Sequence, residues 1–537
     1  MRVAKLGGII MRIIYYNGEI ITMNSTNEIA SALCIENGKI ISVGKDEEVL
    51  KLKNKDCEVI DLNHQTMLPG FIDGHSHFVA LANSLSQCNL TSAKSFQDII
   101  SLMKKFIDEH HIEKGKWVTG VSYDHNFLSE HKHPTREILD QISMDYPIMI
   151  IHASSHMGVV NTLALKLLGL EDGIKDPEGG RFGRDNNKLN GYMEENAFIQ
   201  TQTKIPMLSS EELLKLLVQA QDIYASYGIT TVQDGFVTRD LYQLLKYAST
   251  LNLLKLDVVG YIDLNGARDL YQQLEDPHQY MNHLKIGGYK IFLDGSPQGK
   301  TAWLLEPYEN EKDYRGYPVL TDEKLYELIK MALEDHAQLL AHCNGDGASE
   351  QYVSQFEKVV KDLKIDNTYR PVMIHAQLVQ DDQLVRMKDL KMIPSFFVAH
   401  TYFWGDIHLQ NLGKIRGSRI SPVKTAVNLN IPYTFHQDTP VLPPDMMKTI
   451  WCATNRKTRN GQSIGSTQCI EVIDALKAIT INGAYQYFEE ETKGSIEIGK
   501  IADLVILDKN PLTVSKEEID KIKVCLLYTS PSPRDCS

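Results

Sequence analysis

The stretch "LPGFIDGHSHF" (Leu68–Phe78) sets an apolar run, two glycines and an acid directly before two histidines spaced one residue apart. Side chains of an extended segment alternate faces, so His75 and His77 point to one side while Ser76 points away. Two neutral imidazoles on one side can hold one metal ion. An H-x-H pair also arises by chance, and such pairs more often sit on a surface or hydrogen-bond in a core. The reading therefore turns on whether other strand ends supply further ligands.

From this stretch onward the chain alternates short β-rich segments with amphipathic helical stretches, the pattern of βα units on a parallel sheet. The candidate strands are "TMLPGFIDGHSH", "GITTVQD", "KLDVVGYID", "GGYKIFLDGS", "QLLAHCNGD", "RPVMIHAQ", "KMIPSFFVAHT" and "IPYTFHQDTPV". Eight is the number that closes a (β/α)8 TIM-type barrel, whose chemistry sits at the C-terminal ends of its strands. The predicted fold class is therefore α/β, with the barrel over residues 69–484. A stretch at about 95–204, between the first and second strands, is far longer than a βα connection requires and predicts a lid or substrate-selecting cap.

Both ends flank the barrel with short strands and turns. Residues 11–68 carry Asn17-Gly18 and Asn37-Gly38 between alternating apolar residues, two hairpin signals. The segment "KGSIEIGKIADLVILDKNP" has the same character, so residues 485–524 are predicted to complete a small β-sandwich built from both chain ends. The tail "CLLYTSPSPRD" reads as a translated sequencing adapter, and residues 525–537 are set apart as non-native. Upstream, "KLGGII" resembles a translated ribosome-binding sequence, which makes Met11 the expected start in a bacterial gene.

The 537-residue chain is 43% hydrophobic and 23% charged, ordinary globular composition. A net charge of −13 from 56 basic and 69 acidic residues argues against nucleic-acid or anionic-membrane partners. No apolar run reaches the length of a membrane span, and the scattered cysteines include no C-x-x-C. These features predict a cytoplasmic protein, with homo-oligomerisation left open.

Several strand ends carry residues able to do chemistry. Lys290 sits in the apolar "YKIFLDGS", where a lysine is costly unless paired or neutralised; it either meets Asp294 or, in a barrel holding two metal ions, forms a bridging carbamate with carbon dioxide. His342 and His375 each end an apolar strand, and Asp438 follows the last one. Each alone has a structural explanation, as a core histidine or a helix N-cap.

Taken in order, His75, His77, Lys290, His342, His375 and Asp438 resemble the ligand series of the amidohydrolase superfamily. The wider set "LPGFIDGHSHF", "SHMGVVNTLAL", "GYMEENAF", "GITTVQD", "KIFLDGS", "AHCNGDGA" and "KGSIEIGKIADLVILD" resembles its family 3, the YtcJ-like proteins. The resemblance implies His75 and His77 on a first metal, His342 and His375 on a second, Lys290 as the carbamate bridge, and Asp438 as both ligand and proton shuttle. It implies two divalent ions, zinc by default, and hydrolysis of an amide-type C–N bond by a metal-activated water. It further implies substrate-binding roles for His156 and Glu195. An ester, cyclic-amide or amidine substrate is the alternative on the same site, and a non-catalytic ligand-binding barrel the alternative of another class. His436 and Gln437 depart from the small residues usual before the final Asp.

Overall fold

The structure is a computed structural model that describes residues 12–529 apart from 126, 154–156, 178–179, 207 and 367. It divides into two compact units, one formed by the chain up to Leu81 together with Leu217 onward, the other by Ala82–Leu216.

The first unit is organised by an eight-stranded sheet in sequence order: β1 (Phe71–Ile72), β2 (Ile229–Val237), β3 (Asp257–Asp263), β4 (Leu284–Phe292), β5 (Gln338–Cys343), β6 (Val372–His375), β7 (Ile393–Phe396) and β8 (Thr434–Phe435). Every neighbouring pair is parallel. The Gly74 N–H donates to the Phe435 carbonyl at 3.2 Å, so the sheet's two edges meet just beyond β1 and β8. Six lie within the segments the sequence marks as strands, while β2 runs on past its segment to Val237 and β4 begins before its segment, at Leu284. Their near-continuous burial is what a parallel sheet covered on both faces demands.

The helices between strands follow local rules. In Asp322–Glu334, the Thr321 side chain accepts the Lys324 N–H, and Asp322 and Glu323 complement the positive end of the helix dipole. Leu325, Leu328, Ile329, Ala332 and Leu333, spaced three and four apart, form its buried stripe.

Two further sheets belong to this unit. One orders Lys39–Gly44, Ala32–Glu36, Arg12–Tyr16 and Cys57–Asp61; the other orders Val524–Tyr528, Leu504–Leu507, Thr66–Pro69, Glu19–Ile21 and Ile29–Ala30. Ile13, Leu33 and Ile35 from the first share one apolar cluster with Ile20, Met67, Leu504 and Ile506 from the second. Asn37-Gly38 makes the expected hairpin, with both residues left-handed (φ 51° and 73°) and Glu36 opposite Lys39. Asn17-Gly18 does not. Only Asn17 is left-handed (φ 57°), and the turn passes the chain from Arg12–Tyr16 in one sheet to Glu19–Ile21 in the other.

The Ala82–Leu216 unit carries a mixed sheet ordered Gly180–Asp185, Lys188–Glu195, Met157–Val160, Ile148–His152, Val118–Tyr123 and Gln87–Asn89. In Ile148–His152, Ile148 and Ile150 enter one apolar cluster while Met149 and Ile151 enter another. A strand buried on both faces explains the unbroken run "IMII". Among the described residues no helix is long and apolar enough to cross a membrane.

Closure of the barrel depends on the missing side chain of Gly74, where a Cβ would stand 2.7 Å from Thr434 Oγ1 and 2.9 Å from the Phe435 carbonyl. Gly74→Ala is therefore expected to cost about 1–3 kcal/mol, the range for forcing an extra methyl into a packed site. Denaturant unfolding measures it, and unchanged stability would show that the edges do not meet there.

Candidate metal centre

Past β1 the chain bends at Gly74 and His75, and Ser76 donates its hydroxyl to the Gln233 carbonyl at 3.0 Å on β2. Gly235 N–H donates back to the Ser76 carbonyl at 2.8 Å. The rings of His75 and His77 both turn toward Asp438. Gly235 leaves room for one of them, since a Cβ there would lie 2.3 Å from His75 Cε1.

Gln233 fixes the orientation of His75. Its amide nitrogen donates to the Gly74 carbonyl at 3.1 Å, so its amide oxygen faces His75 Nδ1 at 2.5 Å. Nδ1 must then carry the proton, and Nε2 turns its lone pair inward. That nitrogen lies 3.2 Å from Lys290 Nζ and 3.4 Å from Asp438 Oδ1. His77 Nε2 lies 3.4 Å from the same oxygen. A tetrahedral ion with bonds of about 2.0–2.1 Å keeps its donors about 3.4 Å apart, the spacing found here.

His342 and His375 bring two more imidazoles from β5 and β6. His342 Nε2 lies 3.2 Å from the Gly295 carbonyl and 3.0 Å from the Asn344 amide nitrogen, and its Nδ1 lies 3.1 Å from His375 Nε2. His375 Nδ1 is 3.1 Å from His436 Nε2, and Ser395 Oγ is 2.9 Å from His436 Nδ1. Asp438 Oδ2 stands 4.0 Å from His375 Nε2. Two of these residues hold left-handed backbone, His375 at φ 76° and Asp438 at φ 53°, a strain that persists in folded proteins only where the surroundings over-determine it.

Burial decides the protonation states. It pushes His75 and His375 well below the ordinary imidazole range, helped by Lys290 for the former and His342 for the latter, and lowers His342 to about 4 and His436 to about 3. All four are neutral near pH 7, the form that binds metal. Burial also lowers Lys290 to about 8. For Asp438 burial acts upward, but the hydrogen-bonding approach of His77 leads the effects that hold the carboxyl well below its usual range. Its Oδ1 is buried without a hydrogen-bond partner among the described residues. An ionised oxygen so placed, facing inward lone pairs, fits a cation.

All six residues of the sequence-derived series thus converge in one place. The family profile of amidohydrolases matches residues 58–530. The chain belongs to the amidohydrolase family. With that family it is a hydrolase acting on carbon–nitrogen bonds other than peptide bonds. The N-substituted formamide deformylase of Arthrobacter pascens is 25% identical over 95% of this chain and 96% of its own. The putative amidohydrolase YtcJ of Bacillus subtilis is 26% identical over 96% and 97%. The crystal structure of an uncharacterized metal-dependent hydrolase from Pyrococcus horikoshii superposes with a TM-score of 0.79 at 26% identity, covering 94% of this chain and 99% of that one.

Two further candidates come from the sequence. His156 falls outside the described residues. Glu195 ends the strand Lys188–Glu195 of the Ala82–Leu216 unit, exposed and left-handed at φ 50°. Lys290 does not meet Asp294, whose carboxylate instead accepts the backbone N–H groups of Trp303, Asn344 and Gly345. Sequence reasoning passed over Gln233 and Ser395. A glutamine inside the apolar "GITTVQD" was the available signal for the first, because a buried amide needs partners.

Gln233→Leu keeps the volume and removes the acceptor that sets the His75 tautomer. Metal affinity of the amidohydrolase is expected to fall by about 10–100-fold, the usual cost of losing such a partner, with little change in fold. Equilibrium dialysis against a chelator measures it, and an unchanged affinity would refute the orienting role.

Proposed function

We propose that the protein hydrolyses an amide-type C–N bond of a small molecule, with His75, His77 and Asp438 holding one divalent ion, His342 and His375 a second, and Lys290 bridging them as a carbamate. Zinc is the expected metal, since imidazole and carboxylate donors suit it. The observation that carries this reading is the buried, unbonded Asp438 Oδ1 with the inward nitrogens of His75 and His77 each 3.4 Å away. When bound, the metal pair polarises the scissile carbonyl and makes the attacking water more acidic.

The chain's own groups do the rest. Asp438, ionised and held at the barrel mouth beyond β8, takes the proton from the attacking water and delivers it to the leaving nitrogen. The four neutral imidazoles stay ligands or ligand supports, because their lowered affinity for protons disqualifies them as acids near pH 7. The Arthrobacter pascens relative is by its name a deformylase of N-substituted formamides, so short N-acyl groups head the substrates to test. We read the two end sheets, which share one apolar cluster, as a single β-sandwich beside the barrel. The seven described cysteines are free thiols, in keeping with a bacterial cytoplasm.

Asp438→Asn preserves size but cannot take a proton. Turnover is expected to drop at least roughly 10²-fold, the lower range for a positioned acid–base group, with thermal stability little changed. Near-normal turnover with full metal content would move the proton shuttle elsewhere.

Carbamate formation needs the neutral amine, and Lys290 is lowered to about 8, so its reactive fraction grows as pH rises towards that value. Reactivation of metal-free protein should need metal and bicarbonate together and proceed faster at about pH 8 than at about pH 6.5 for equal dissolved carbon dioxide. Lys290→Ala should lose most activity and regain part of it with added short carboxylic acids. Indifference to both bicarbonate and acids would make Lys290 an ordinary buried lysine.

A further inference from the structure

The Ala82–Leu216 unit contains a second group of convergent metal donors. Asp124 and His125 directly follow the strand Val118–Tyr123, and His152 ends the neighbouring parallel strand Ile148–His152. Tyr123 and His152 are register partners, so all three donors leave the C-terminal ends of two adjacent parallel strands. His125 Nδ1 lies 3.2 Å from His152 Nε2 and 3.8 Å from Asp124 Oδ1, and His152 Nε2 lies 3.5 Å from that oxygen. Three atoms with these separations sit on a circle of radius about 2.0 Å, the length of a zinc–imidazole bond, so one ion reaches all three without rebuilding the site.

Two independent features point the same way. The pairing of Val118–Tyr123 with its neighbour slips between Gly120 and Tyr123, and Ser122 within that slip is left-handed at φ 66°. A bulge of this kind re-aims the side chains after it, here Tyr123 and Asp124, and costs backbone strain that needs compensation. The second feature is an outer layer of rings. His133 packs against His125 with centroids 4.0 Å apart and is itself held by Tyr123 Oη at 3.0 Å from its Nδ1 and by the Tyr192 ring at 4.6 Å. Partners that fix the orientation of a ligating imidazole are a regular part of metal sites.

We propose that Asp124, His125 and His152, all in the Ala82–Leu216 unit, form a further divalent metal site, zinc-type by donor set. Two neutral imidazoles and one carboxylate would leave a bound dication with one net positive charge.

The test counts metal per chain after metal-free full-length protein is reconstituted with Zn2+, and records visible absorption after Co2+. Comparison is with His125→Ala/His152→Ala and, separately, with the barrel variant His75→Ala/His77→Ala. The first variant should bind about one ion fewer than the unmodified protein while keeping its barrel metal. The barrel variant should still take up about one Co2+ with the intense visible bands of four-coordinate geometry. Equal metal content in the unmodified protein and the His125/His152 variant overturns the site, whatever becomes of the barrel assignment. If that variant does not fold, His125→Gln, at a partly exposed position, gives the reading: at least roughly a ten-fold weaker affinity for one ion supports the site, and unchanged affinity overturns it.

Discussion

The barrel centre is organised around one ionised carboxylate buried among neutral imidazoles. Asp438 Oδ1 faces His75 and His77 without a hydrogen bond, while His375 approaches the other oxygen. Left alone, such an arrangement is unfavourable, because a buried anion is surrounded by lone pairs rather than by donors. A divalent cation reverses the sign of every contact. The surrounding structure is built to hold the donors in that otherwise costly pose: Gln233 sets the His75 tautomer, Gly235 leaves space for a ring, and His375 and Asp438 adopt left-handed backbone.

The opposite ends of the same strands handle buried charge differently. Lys285, near the start of β4, pairs with Glu489, and Lys493 pairs with Asp257 at the start of β3 and with Glu489. These charges neutralise one another, and they tie the segment after Gln486 to the barrel. Here each carboxylate faces a lysine cation. Complementary side chains at one end and donors without complement at the other separate the part of the barrel that stabilises from the part that reacts.

Much of this was legible in the sequence. The strands appear as apolar runs, and His75, His77, Lys290, His342, His375 and Asp438 fall at strand ends in an order that few other arrangements share. The failures have physical causes. Asn17-Gly18 matches a hairpin dipeptide, yet Gly18 is not left-handed and the chain changes sheets there. Gln233 looks like one more residue of a core strand until its two faces are seen to bind Gly74 and His75. Asp124, His125 and His152 lack a compact motif, because their proximity comes from the pairing of two parallel strands and a bulge that local sequence does not mark.

The central claim is that the barrel residues hold two divalent ions with a carbamate on Lys290 between them. Anomalous diffraction from crystals of the zinc-reconstituted protein, recorded on both sides of the zinc edge, tests it most directly. The account predicts two peaks about 3.5–4 Å apart, one against His75, His77 and Asp438 and one against His342 and His375, with density extending beyond Lys290 Nζ to both. Absence of anomalous signal at these residues, with the imidazoles and Asp438 bridged by water alone, would contradict it.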